Sequence, residues 1–165
     1  MRTIRYAAVA ALLCTAAFVR VGPPWISIEY PANPYDQGSR GAFLLVHSFH
    51  HETPVGYPVS GTAEGLVDGA RRTLSLEFTA TSRPGVYALR KQWPDNGVWT
   101  LVISTTQGSG DGNTASAVVE LGTDGRVASV NVPARQRGQW LMPTAVSMSD
   151  VEAGLRARAS RLASR

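Results

Sequence analysis

Between residues 25 and 132 apolar and polar residues alternate with a period of two, and turn-forming pairs break the alternation at short intervals. Successive side chains of a strand point to opposite sides, so this period builds half-buried strands and excludes helices over most of the chain. Across residues 72–79, Leu74, Leu76 and Phe78 share one side while Thr73, Ser75 and Glu77 share the other. Ile26, Ile28 and Tyr30 alternate with Ser27 and Glu29 in a first strand closed by Pro31 and Pro34, and Trp99, Leu101 and Ile103 mark one face of another. Asp68-Gly69, Pro84-Gly85, Asp95-Asn96-Gly97 and Thr123-Asp124-Gly125 supply the turns. The glycine and serine rich loop 107–113 joins a strand at 98–105 to one at 116–121, and with 126–132 these three are expected to form a meander. Residues 24–133 are therefore expected to be an all-β domain, an immunoglobulin-like antiparallel β-sandwich of about seven to eight strands.

One strand departs from the pattern. In residues 42–49, Ala42, Leu44 and Val46 on one side and Phe43, Leu45 and Phe49 on the other are all apolar, which predicts a central strand covered on both faces. It ends in "VHSFHHETPVGYP", which holds all three histidines, His47, His50 and His51.

The two ends of the chain read differently. Arg2 and Arg5 precede a weakly polar run over residues 6–19 with the small triplet Thr15-Ala16-Ala17, the layout of a secretory signal peptide at 1–17. The run is about 14 residues against the roughly 20 of a spanning helix, so a periplasmic or secreted protein with no transmembrane span after cleavage is expected. Cys14 follows Leu13 rather than the small residue of a lipoprotein signal; it lies in the leader, and the remaining chain has no cysteine for disulfides, thiolate metal sites or a nucleophile. At the other end, Ser149 and Glu152 form a capping-box pair, and Val151, Leu155, Ala159 and Leu162 fall along one side of a helix with Arg156, Arg158, Arg161 and Arg165 elsewhere. Residues 149–165 are thus an amphipathic helix or tail, and 134–148 a linker. The formal charge of +4 falls largely in the leader and this tail, leaving a near-neutral centre with no nucleic-acid footprint.

Imidazoles suit zinc or copper, so His47, His50 and His51 are the candidate metal ligands. Extended backbone opposes this: His47 and His51 share a face about 13 Å apart, and His50 points the other way. Convergence requires the strand to end near Phe49, so that His50 or His51 can join Glu52, Glu64 or Asp68. The preferred reading has His47 partly buried with a hydrogen-bond partner and the other two solvated at a sheet end. Catalytic constellations are weaker. Ser48, His47 and an acid could be written as a triad, but there is no Gly-x-Ser-x-Gly turn, and the carboxylates are scattered singly. Residues 108–112 lack the lysine and helix of a phosphate loop, and Asp111 and Asn113 lack the glutamate spacing of a calcium loop. A non-enzymatic chain without a resident cofactor is expected. Of Trp25, Trp93, Trp99 and Trp140, core positions are the default, with Trp93 beside Pro94 the candidate exposed contact for a protein or polysaccharide.

Residues 43–104, with a "Thr-Pro-Val" segment after the apolar strand and then "RPGVYALRKQWPDNGVWTLVIS", resemble bacterial immunoglobulin-like domains of the YtkA-like and carboxypeptidase-regulatory-like kind. The resemblance implies that the Gly-x-Tyr strand at 85–87 and the Gly-x-Trp strand at 97–99 are antiparallel neighbours. Some such domains are associated with copper handling at the cell envelope and others are accessory modules. It implies a binding or accessory module whose partner is another envelope or extracellular protein, with a periplasmic zinc- or copper-binding protein as the alternative.

Overall fold

The structure, a computed structural model, describes residues 22–109 and 112–164. The expected signal peptide at 1–17 with Cys14, and Asp111, lie outside the described residues. In chain order the strands are β1 (Trp25–Glu29), β2 (Leu44–His50), β3 (Thr53–Pro54), β4 (Val59–Val67), β5 (Ala70–Ser75), β6 (Phe78–Ala80), β7 (Val86–Leu89), β8 (Val98–Thr106), β9 (Thr114–Leu121), β10 (Val127–Asn131), β11 (Ala134–Arg137) and β12 (Trp140–Pro143). Among the described residues one α-helix, α1 (Met148–Ala163), follows. A first sheet has the order β1-β2-β7-β6 with β3 added to β2, a second has the order β10-β9-β8-β4-β5, and β11 and β12 pair only with each other. Every pairing is antiparallel. The class is all-β with a C-terminal helix.

The alternation explains what lies between the sheets. Ile26, Leu44, Val46 and Leu89 of the first sheet meet Ala63, Leu101, Ile103, Ala117 and Val119 of the second in one hydrophobic cluster that also holds Trp93 and Trp99. As the uninterrupted apolar run required, β2 is central, and Leu44, Leu45 and Val46 are all fully buried. Gly65 sits directly opposite Trp99, whose ring lies where a Cβ would stand, 2.5 Å away, so glycine is the residue that admits the indole.

Three expectations are corrected. Residues 72–79 are not one strand: β5 leaves the second sheet after Ser75, Leu76 N–H bonds to Gly61 O, and the chain rejoins the first sheet at Phe78. The Gly-x-Tyr and Gly-x-Trp segments are not neighbours, since β7 pairs with β2 and β6 while β8 pairs with β4 and β9 in the other sheet. Residues 134–148 are not a bare linker, because residues 134–143 fold into the β11–β12 hairpin. The expected meander is present as β8-β9-β10.

The helix docks on the outer face of the second sheet. Val151 and Leu155 bury against Val102, with Val98 and Val146 packed around them, so β8 is covered on both sides. Its N-cap is Ser147, and Glu152 does not close a capping box; it bonds Arg71 Nε (2.6 Å) and Arg156 Nε (2.9 Å) instead. Beneath the helix a polar row crosses the sheet in register, Thr73, Glu64, Thr100, Glu120 and Ser129. Buried Glu64 accepts from Thr62 Oγ1 (2.6 Å), Arg71 Nη2 (2.7 Å) and Thr73 Oγ1 (2.7 Å), which satisfies a carboxylate that would otherwise be costly there. Arg158, expected on the solvated side, descends into the row: it donates to the carbonyls of Trp99 and Leu121 (3.1 Å each) and to Thr100, and lies 3.5 Å from Glu120. Burial pulls the pKa of its guanidinium below the ordinary arginine value, with Glu120 opposing.

Candidate functional site

Pairing of β1 with β2 sets Trp25 opposite Phe49 and Ser27 opposite His47. Ile26 faces the core, so by alternation Trp25, Ser27 and Glu29, with His47 and Phe49, form the outer face of the first sheet. Trp25 is 40% exposed and Phe49 half-buried, and the Phe49 ring stacks on His47 with centroids 6.0 Å apart and planes 9° from parallel. His47 Nε2 donates to Glu29 Oε2 at 2.8 Å. Arg83 Nη2 approaches the same oxygen at 3.4 Å and Asp36 Oδ2 at 3.6 Å, which links imidazole, carboxylate and guanidinium in a chain that begins at the His47 ring on Phe49.

At the end of β2, His50 pairs with Thr53 across a two-residue turn made of His51 (φ 48°) and Glu52 (φ 65°). Both central residues of such a turn need positive φ, usually supplied by Asn-Gly or Asp-Gly. Two consecutive non-glycine residues there cost about 1–2 kcal/mol each, strain of the kind that concentrates at functional tips. The turn sets the His50 and His51 rings edge to face at 4.3 Å, and His50 Nε2 donates to Gly22 O at 3.2 Å. A Cβ at Gly22 would stand 3.7 Å from the His51 ring, so both rings lie against one stretch of backbone.

The three histidines therefore divide. His47 is held by Glu29, while His50 and His51 meet at the tip. Among the described residues no group of three or more His, Cys, Asp or Glu side chains is placed to hold a metal ion. The strand does end where convergence required, and Glu52 shares its turn, but the other two expected partners lie elsewhere: Glu64 is under α1, and Asp68 (φ 51°) belongs to the β4–β5 turn. Ser48 is not assembled with His47 either, since its buried hydroxyl shares a hydrogen bond with Thr105 Oγ1 at 2.9 Å. Trp93 is 5% exposed and packs edge to face on Phe43 at 5.0 Å, in the core as the default reading had it and not at an exposed contact. The exposed indoles are those of Trp25 and Trp140. Strand pairing puts Trp25 beside Phe49; an unpaired strand sequence contains no sign of it.

Compared with family models, curated proteins and solved structures, the chain matches none. No helix among the described residues is long and apolar enough to cross a membrane.

Proposed function

We propose that the chain is an exported immunoglobulin-like β-sandwich of the periplasm or extracellular space, which acts by binding another envelope or extracellular protein and not by catalysis. The strand order supports the fold. Read as strands A, B, E and D, the first sheet is β1-β2-β7-β6, and read as G, F, C and C′ the second is β9-β8-β4-β5, with β10 added beside G. Strands E and F belong to opposite sheets in that arrangement, as β7 and β8 do here. The Ser48–Thr105 hydrogen bond joins strands B and F, the pair that carries the inter-sheet disulfide in antibody domains, in a chain with no cysteine beyond Cys14.

The observation that carries the function is the outer face of the first sheet, where Trp25 and Phe49 lie side by side, His47 stacks on Phe49, and Glu29 joins His47 to Arg83. Aromatic side chains with an arginine are the composition of interface hot spots, and β1 is the edge strand of its sheet, open to pairing with another chain. The test is photocrosslinking in living cells from a benzophenone residue at Ser27, two residues along β1 from Trp25 on the same face and opposite His47. One discrete protein adduct, lost in Trp25→Ala and Phe49→Ala chains that still fold, is expected. No adduct, or one indifferent to both substitutions, overturns the proposal.

A second reading rests on the tip. Two imidazoles already in contact at a strained turn supply half of a four-coordinate zinc site or a copper pair of ligands, and the reading makes the chain a periplasmic metal-binding protein using His50 and His51, with His47 outside the site.

A further inference from the structure

We infer that the β11–β12 hairpin is a docking element for an anionic phospholipid surface, independent of the protein-binding face on the first sheet. The hairpin pairs with neither large sheet, and an isolated two-stranded ribbon is at best marginal in water. At its end Arg137 pairs with Trp140 and Gln136 with Leu141, across a turn at Gly138 and Gln139. Trp140 is 68% exposed and Leu141 56%. As successive strand residues they project from opposite faces of the ribbon. A protein partner lying on the ribbon covers one face and leaves the other apolar side chain in water. Entry of the ribbon end into the interfacial zone of a bilayer covers both, and that zone is where tryptophan is enriched.

Charge selects the lipid. From residue 126 to residue 149 the chain has three arginines and no acidic residue. Arg135 and Arg137 stand on β11, on the same face of the ribbon as Trp140, and form no ion pair among the described residues. Their long stems allow the guanidinium groups to reach headgroup phosphates while Trp140 and Leu141 sit deeper. An arginine beside an anionic bilayer raises the partition coefficient by about fivefold, so the pair accounts for roughly 25-fold preference over a zwitterionic surface.

The test mixes the full chain with vesicles of phosphatidylcholine alone or with phosphatidylglycerol, and reads co-sedimentation together with amide exchange across residues 134–143. Slowed exchange confined to the hairpin and dependent on phosphatidylglycerol is expected. Arg135→Ala with Arg137→Ala should remove most of the anionic preference, and Trp140→Ala with Leu141→Ala should abolish the protection. These side chains are exposed, so the variants should melt as the parent does. Local exchange separates the hairpin from any membrane affinity of residues 1–21. Protection that is absent, that persists without Trp140 and Leu141, or that appears with rising protein concentration and no vesicles overturns the inference, the last pointing to a second copy of the chain. None of these outcomes bears on crosslinking at Ser27.

Discussion

Replacing Glu64 by glutamine and by alanine separates the charge of the helix-docking network from its hydrogen bonds. Glu64 Oε2 receives two donors, Arg71 Nη2 and Thr73 Oγ1, and Oε1 receives only Thr62 Oγ1. A glutamine amide that keeps its oxygen at the Oε2 position retains both bonds there. Its nitrogen then faces Thr62, whose hydroxyl can rotate to accept. All three bonds survive and only the charge is lost. Charge-assisted bonds are worth about 1.5–3 kcal/mol against about 0.5–1.5 for neutral ones, and the carboxylate's own desolvation is relieved, so Glu64→Gln should cost about 1–2 kcal/mol. Arg71 is not stranded, because Glu152 still binds its Nε. Glu64→Ala strands both threonine hydroxyls and empties a buried site, at about 3–5 kcal/mol. Urea unfolding at neutral pH reads both, as a shift of midpoint with the slope unchanged. Equal losses for the two variants would show that charge, not bond geometry, holds the network; losses under about 0.5 kcal/mol for both would refute the argument that it holds anything.

Leu155, 1% exposed against Val102, should cost about 2–4 kcal/mol on truncation to alanine, and a loss below about 1 kcal/mol in the same urea assay would mean that α1 is not packed as described. Hydrogen bonding from Arg156, aided by Arg71 and opposed by burial, holds the Glu152 carboxyl below its ordinary 4.5. The unfolded chain therefore binds the extra proton first: this contribution is complete above pH 4.5 and disappears as pH falls through the lower folded value, and a midpoint-against-pH curve should lose that segment in Glu152→Gln. Calorimetric titration with Zn²⁺ and Cu²⁺ decides the second reading of function, which predicts one-to-one binding that vanishes in His50→Ala with His51→Ala and survives His47→Ala; no heat from the parent chain removes it.

Side-chain direction was legible in the sequence, and sheet membership was not. Leu74, Leu76 and Phe78 keep their common side although the chain changes sheets between them, because the inner faces of both sheets look onto one core. Alternation records that core and is blind to the crossing; the Leu76 bond to Gly61 is the last tie to β4, and the strand break shows where Glu77 N–H turns to the Gln92 side chain. The family resemblance set Gly-x-Tyr beside Gly-x-Trp, and alternation, equally silent on sheet membership, offered nothing to correct it. Alternation also hid the polar row, since Glu64, Thr100 and Glu120 read as ordinary solvent-facing positions until α1 covers them.

The helix shows why its charged stripe misled. Val151, Leu155 and Arg158 stand at i, i+4 and i+7, one buried stripe whose last member is cationic. An arginine fits there because the sheet below offers the carbonyls of Trp99 and Leu121, the Thr100 hydroxyl and the Glu120 carboxylate. The hydrophobic pattern of a helix can be read alone only when its docking surface is apolar; here the partner surface decides which side is buried. By the same logic the histidine segment could not be resolved by spacing, because His47 is claimed by Glu29, a residue 18 positions away, and the meeting of His50 with His51 depends on a turn that the sequence, without glycine or asparagine at its centre, does not announce.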